Sequence, residues 1–255
     1  MILKDLRTEA RSNFSSAAEF VERMLEQRPR TAIFDCDGTL WAGDAGSEFL
    51  TWSLEHGMVS RETADWILGR YSQYRQGLVT QAGICGEMTQ MYAGLREDEI
   101  RAAAEKFFRD IVAPHIFVEL EELTGKLRQS GAELWAVSST NVWVIEAAVA
   151  RFGFPAGRVL GARVAVSDGV ATSTLLAVPT GPDKVAALQA AGVDAPDAVF
   201  GNSVHDAAML AAAKRACAVN PTPALAVLAE SEGWPIYWPE SVVAARGRTG
   251  LEHVS

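Results

Sequence analysis

The sequence predicts an α/β fold: a parallel, Rossmann-like sheet with helices on both faces and one inserted all-helical segment. Three observations predict it. Short apolar runs of strand character alternate with segments of helical period, the pattern of strands joined by crossover helices. Residues 46–112 carry helical spacing with no strand among them. Each polar cluster capable of chemistry directly follows an apolar strand, and open parallel sheets bind ligands beyond those carboxyl ends.

The elements follow in order. Residues 15–27 read as a helix: Ser16 and Glu19 have capping-box spacing, Phe20, Val21, Met24 and Leu25 form a stripe, and Pro29 stops the run. Thr31–Phe34 is a short apolar strand, ending in Asp35-Cys36-Asp37-Gly38-Thr39-Leu40. Helical spacing then recurs through Phe49, Leu50 and Trp52, through Trp66 and Ile67, through Ile84, Met88 and Met91, and through Ile100, Ala104 and Phe107. After a helix at 117–130, Leu134–Val137 is a strand ending in Ser138-Ser139-Thr140-Asn141. A helix over 142–150 leads to strands within 159–178, folded about an Asp168-Gly169 turn. Lys184 to Ala191 is helical, Ala198–Phe200 a strand before Gly201-Asn202-Ser203, and Asp206 to Lys214 helical. Ala216–Val219 is a strand broken by Pro221 and Pro223, and residues 235–238 make the last one. The predicted domains are an α/β core over 1–43 and 115–255 and a helical domain over 44–114.

Composition bounds the function. A chain of 255 residues, 49% hydrophobic and 22% charged, is globular. Its net charge of −9 argues against nucleic acid or an anionic membrane as main partner, while a local cationic site can still take an anionic substrate. Three cysteines without a CxxC spacing exclude a disulfide framework or a zinc site. The amino-terminal stretch has charges every few residues and no apolar signal core, and no apolar run has membrane-spanning length. The expectation is a cytoplasmic protein, monomer or homodimer, that acts on a small molecule.

Asp35 and Asp37 alternate across one residue, so on an extended backbone both side chains point the same way. Two carboxylates so close repel unless a cation lies between them or one holds a proton. Either state suits catalysis, with one carboxylate as nucleophile forming an acyl phosphate and the other moving protons. Gly38 and Thr39 let the backbone turn and offer amide donors to an anion. The alternative is an Asx-type turn closing the strand.

FDCDGTL after an apolar strand resembles the first motif of the haloacid dehalogenase-like superfamily, hhhhDxDGT[LV]. The other three motifs follow in order: Ser138 and Ser139 in LWAVSST, Lys184 in TGPDK, and Gly201, Asn202 and Asp206 in FGNSVHD. The helical segment looks like the cap that the phosphoserine-phosphatase-like branch carries between the first two motifs. The resemblance implies Asp35 as nucleophile and Asp37 as general acid and base. Ser138, Ser139 and Lys184, with Gly38 and Thr39, would hold the phosphoryl group. Mg²⁺ would be bound by Asp35, the Asp37 carbonyl and the fourth-motif residues Asn202 and Asp206. The expected reaction is Mg²⁺-dependent hydrolysis of a small phosphomonoester through an aspartyl-phosphate. The alternatives are transfer of the phosphoryl group to a second alcohol, or a non-catalytic phosphate-binding or scaffold role.

Related phosphatases place an Asp where this chain has Asn202, which predicts weaker metal binding, with Asp206 available to compensate. Asp44 falls where phosphoserine phosphatases place an acid that meets the substrate amine, and Glu48 follows one turn later. No Arg occupies residues 85–88, where those enzymes clamp a carboxylate, although Arg70 or Arg75 could replace it. Glu87 instead would favour a cationic group, with Trp41 and Trp52 as an aromatic wall. Phosphoserine-, phosphoethanolamine- and phosphocholine-like substrates therefore compete. His205 is expected to hydrogen-bond locally, and His56, His115 and His253 show no ligand spacing.

Overall fold

A computed structural model describes residues 12–26 and 28–242 of the chain. The first helix, α1, spans Ala17–Leu25, with Ser16 accepting from the Glu19 N–H at its start. The first strand, β1, is Thr31–Phe34. Four helices follow without a strand: α2 Ala45–Glu55, α3 Arg61–Arg75, α4 Gln81–Gln90 and α5 Glu97–Phe107. The chain re-enters the core through short turns of π and 3-10 helix over 108–115. There α6 (Val118–Gln129), β2 (Glu133–Asn141), α7 (Val142–Val149) and the hairpin β3 (Val159–Ser167) and β4 (Val170–Ala177) follow. The remainder is α8 (Pro182–Ala190), β5 (Ala198–Gly201), α9 (Ala207–Ala211), β6 (Ala216–Val219), α10 (Pro223–Glu232) and β7 (Ile236–Tyr237).

The strands form one sheet in the order β4-β3-β2-β1-β5-β6-β7. All neighbours are parallel except β3 and β4. Alternate strand residues face opposite layers, as the two-residue period requires. Phe34, Ala136 and Phe200 pack with α1, α6 and α7, and Phe34 stacks on Phe200 at 4.5 Å. Ile33, Val137 and Val199 pack with Leu188, Met209 and Leu225 of α8, α9 and α10. The chain leaves central β1 for β2 on one side and later returns to β5 on the other. Such a reversal of strand order leaves a crevice at the carboxyl end of the central strand.

The helical insertion packs through Phe49, Trp52, Tyr92 and Phe107, which form an aromatic cluster. It is also stitched to the core. Gly94 N–H donates to Ala171 O at 2.8 Å, Ala171 N–H to Leu95 O at 2.9 Å, and Glu97 N–H to Gly169 O at 2.8 Å. The sequence held no signal for this join between the insertion and the β3–β4 turn. By contrast α3 buries only Ile67.

Three elements differ from expectation. Pro223 does not merely break the chain after β6: with Thr222 as cap it opens α10, because a proline at the first helical position loses no hydrogen bond. β2 continues through Asn141, so Ser138 lies inside the strand, where its register against β3 shifts. The helix expected at 206–214 is a 3-10 turn at Val204–Asp206 followed by the short α9. Gln27 at the expected end of the first helix, most of the amino-terminal stretch and His253 lie outside the described residues. No helix of the described residues is long and apolar enough to cross a membrane.

Candidate active site

The carboxyl end of β1 builds the site. Asp35 N–H donates to Phe200 O at 2.9 Å, carrying the β1–β5 ladder up to the first carboxylate. Gly38 then turns the chain at φ +75°, and a Cβ there would fall 1.9 Å from the Asn202 amide, so the loop after β5 closes directly against it. Thr39 is fully buried and its Oγ1 donates to Asp35 Oδ2 at 2.9 Å. Gly38 and Thr39 therefore shape the loop and hold Asp35.

Lys184, in the first turn of α8, is only 2% exposed. Its Nζ donates to Asp35 Oδ1 at 2.7 Å and to Asp206 Oδ1 at 2.5 Å. Burial opposes its charge, but the Asp206 and Asp35 carboxylates hold its pKa well above the ordinary value. Burial and the charge of Asp206 raise Asp35 to about 6, against the pull of Lys184 and Thr39. Asp206 is wholly buried, and its Oδ2 accepts from the N–H groups of Asn202 and Ser203 and from Ser203 Oγ. With both oxygens so engaged, Asp206 anchors Lys184 and its own loop.

Asp37 is held by three donors. Trp41 Nε1 at 2.9 Å and Ala45 N–H at 2.8 Å reach Oδ1, and Thr140 Oγ1 reaches Oδ2 at 2.7 Å. Burial and the nearby Asp44 raise its pKa to about 7, against the Thr140 and Ala45 bonds. A group poised there can both give and take a proton near neutral pH.

Asp35 and Asp37 open into a cavity of about 230 Å³. Its core wall also carries Ser138, Ser139, Lys184 and Asn202. Ser138 Oγ accepts from Thr140 N–H at 3.1 Å, and Ser139 Oγ donates to Pro179 O at 2.9 Å. The wall from the insertion consists of Asp44, Tyr71, Tyr74, Gln81, Cys85 and Met88, among others. Asp44 is exposed and caps α2, accepting from Ser47 N–H at 2.9 Å.

Several expected contacts are absent from this cavity. Glu48 faces a neighbouring recess with Trp52 and Leu68. Arg70 and Glu87 meet each other instead of substrate: Nε lies 2.9 Å and Nη2 2.7 Å from the carboxylate oxygens, so neither charge is free to act as a clamp. Arg75 is exposed and off the wall. Trp41 is buried on Asp37 and Trp52 stacks on His56 at 3.9 Å, so the aromatic wall is Tyr71 and Tyr74. His205 lines the cavity, while its N–H donates to Ser203 Oγ. Thr140, Tyr71, Tyr74, Gln81 and Cys85 were missed. The signal was the spacing: Gln81, Cys85 and Met88 fall on one face of α4, as Tyr71 and Tyr74 do on α3.

Among the described residues no three His, Cys, Asp or Glu side chains converge as a metal site. Asp35 and Asn202, a carboxylate and an amide, line the same cavity beside Asp37. Such a set fits Mg²⁺, which takes few protein ligands and completes its shell with water and phosphate oxygens. It carries one negative charge fewer than a set with Asp at 202.

Comparison with known proteins shows the family and the fold. The profile of the haloacid dehalogenase-like hydrolase family matches residues 32–211. A Mycobacterium tuberculosis protein named "Probable phosphatase" is 26% identical over 235 residues, covering 87% of this chain and 79% of its own. The crystal structure of a protein of unknown function from Bordetella pertussis Tohama I superposes with a TM-score of 0.72 at 23% identity, covering 82% of this chain and 98% of that one. Substrate-bound phosphoserine phosphatase has a TM-score of 0.55 at 15% identity, covering 89% of this chain and 99% of that one, a likeness of fold.

Proposed function

The chain belongs to the haloacid dehalogenase-like hydrolase family and is an enzyme of its phosphatase kind; on that premise we propose a cytoplasmic, Mg²⁺-dependent phosphomonoesterase working through an aspartyl-phosphate on Asp35. Its substrate is a small phosphorylated metabolite of the phosphoserine, phosphoethanolamine or phosphocholine type. The observation that carries this reading is one cavity holding two carboxylates in different surroundings. Asp35 is bonded to Lys184 and Thr39, whereas Asp37 is raised towards neutrality by burial and the nearby Asp44, against the Thr140 and Ala45 bonds.

In the first half-reaction an Asp35 oxygen bonds to phosphorus while the bond to the leaving alkoxide breaks. Asp37 gives that oxygen its proton. In the second, Asp37 takes a proton from the water that attacks phosphorus, and the Asp35 carboxylate and inorganic phosphate are released. Lys184 holds the Asp35 charge in place, and Ser138 offers its hydroxyl to a phosphoryl oxygen. When bound at Asp35, the Asp37 main chain and Asn202, Mg²⁺ would neutralise charge on the transferring group.

Phosphate release from an aryl phosphate, with and without Mg²⁺, tests the reading. Mg²⁺-dependent release is expected in the wild type and none in Asp35→Asn. Undiminished release by that variant would sink the covalent mechanism.

A further inference from the structure

The charges around the cavity are distributed unevenly between its two walls. On the core side the cation is Lys184, already bonded to Asp35 and Asp206. On the helical side the wall offers Asp44, the rings of Tyr71 and Tyr74, and the neutral Gln81, Cys85 and Met88. Arg70 of the insertion is tied to Glu87, and no Arg or Lys of the insertion lines the cavity. His205 enters from the core loop that carries Asn202, not from this wall. Tyr71 and Ser47 also border the adjoining recess, so a leaving group reaching past them meets Trp52, Glu48 and Glu55, again without a cation.

We propose that this wall is a charge filter: it admits phosphomonoesters whose alcohol part is cationic and rejects those carrying a second anion. The inference rests on the phosphatase reading and narrows it to amine- or ammonium-bearing, carboxylate-free alcohols. With the phosphoryl group at Asp35, an ammonium finds the Asp44 carboxylate and the faces of two tyrosines. A carboxylate in the same place finds Asp44 and Asp37 and no guanidinium or ammonium to answer it. Tyr74 is fixed for its part, its hydroxyl donating to Gln81 Oε1 at 2.8 Å.

The test compares kcat/KM for phosphoethanolamine and phosphoserine, which differ by one carboxylate, with phosphocholine and an aryl phosphate alongside. At a Coulomb cost of this kind, phosphoethanolamine is expected to be at least about tenfold better than phosphoserine, and phosphocholine to resemble phosphoethanolamine. Gln81→Arg, which puts a cation on the wall, should narrow that ratio by at least about threefold. Release from the aryl phosphate without any preference for phosphoethanolamine over phosphoserine would overturn the filter and leave the phosphatase reading standing. No release from any of the four phosphates would overturn both.

Discussion

The two walls of the cavity obey opposite rules. The core wall is charged and closely bonded: Lys184 joins Asp35 on the wall to the buried Asp206 behind it, and Asp37 takes three donors. The insertion's wall is half-exposed, and its α3 buries only Ile67. The Arg70–Glu87 ion pair of these helices is not part of the cavity wall. The contrast teaches where rigidity is needed. Phosphoryl transfer asks for charges in fixed positions, which only a packed frame can hold against desolvation. Selecting the alcohol asks only for a wall of suitable polarity, which a lightly packed helix can present.

The strongest way to break this comparison is to remove the cation of the core wall. Lys184→Met leaves two buried carboxylates without a counter-charge and should cost roughly 3–5 kcal/mol of stability. Urea denaturation reads the loss, and phosphate release should vanish. A near-native midpoint would mean that the core charges are not held as described.

Asp37→Asn separates chemistry from stability. Loss of the general acid and base should lower turnover by about 10²–10⁴-fold. Stability should move the other way. Because Asp37 titrates near 7 when folded and near 3.8 when unfolded, the folded protein keeps a proton that the unfolded chain has lost. Stability therefore falls as pH rises through that window, and the amide lacks this penalty. In chelator, the variant should be more stable than wild type at pH 8 by ~1–2 kcal/mol, allowing for partial solvent access, with the gap closing towards pH 4. Thermal melts at the two pH values check it.

Asn202→Asp restores a charge at the metal position and should tighten Mg²⁺ by about tenfold, or ~1.4 kcal/mol. Unchanged affinity by calorimetry would show that Asn202 does not touch the ion. The smallest effect belongs to the helical wall. Arg70→Ala should shift global stability only slightly, since the pair is partly solvated. Hydrogen exchange should quicken over 61–90 and leave β1 and β5 untouched. Loss of protection across the sheet would contradict the division drawn between the walls.

Legibility in the sequence followed distance along the chain. The Asp35–Thr39 turn was readable because a strand end and a glycine settle it locally. The order of Ser138, Lys184 and Asn202 was readable through the family resemblance, and all three line the cavity. Thr140 on Asp37 was not, because that bond spans 103 residues. Nor was Arg70 on Glu87, 17 residues away on a different helix. Met88 read as core because a cavity wall and a packed face share the same helical spacing.

Alone, the sequence determined the alternation of strands and helices, the insertion after β1, and the placing of Asp35 and Asn202 just beyond strand ends. Those properties depend on covalent spacing and hydrophobic period, which every short window carries. Only the tertiary structure decided which charges answer one another. It turned Asp206 and Thr39 into supports, paired Arg70 with Glu87, and left Tyr71, Tyr74 and Asp44 on the cavity wall. An ion pair or hydrogen bond is won by whichever partner packing brings within about 3 Å, and that competition is settled between segments far apart in the chain.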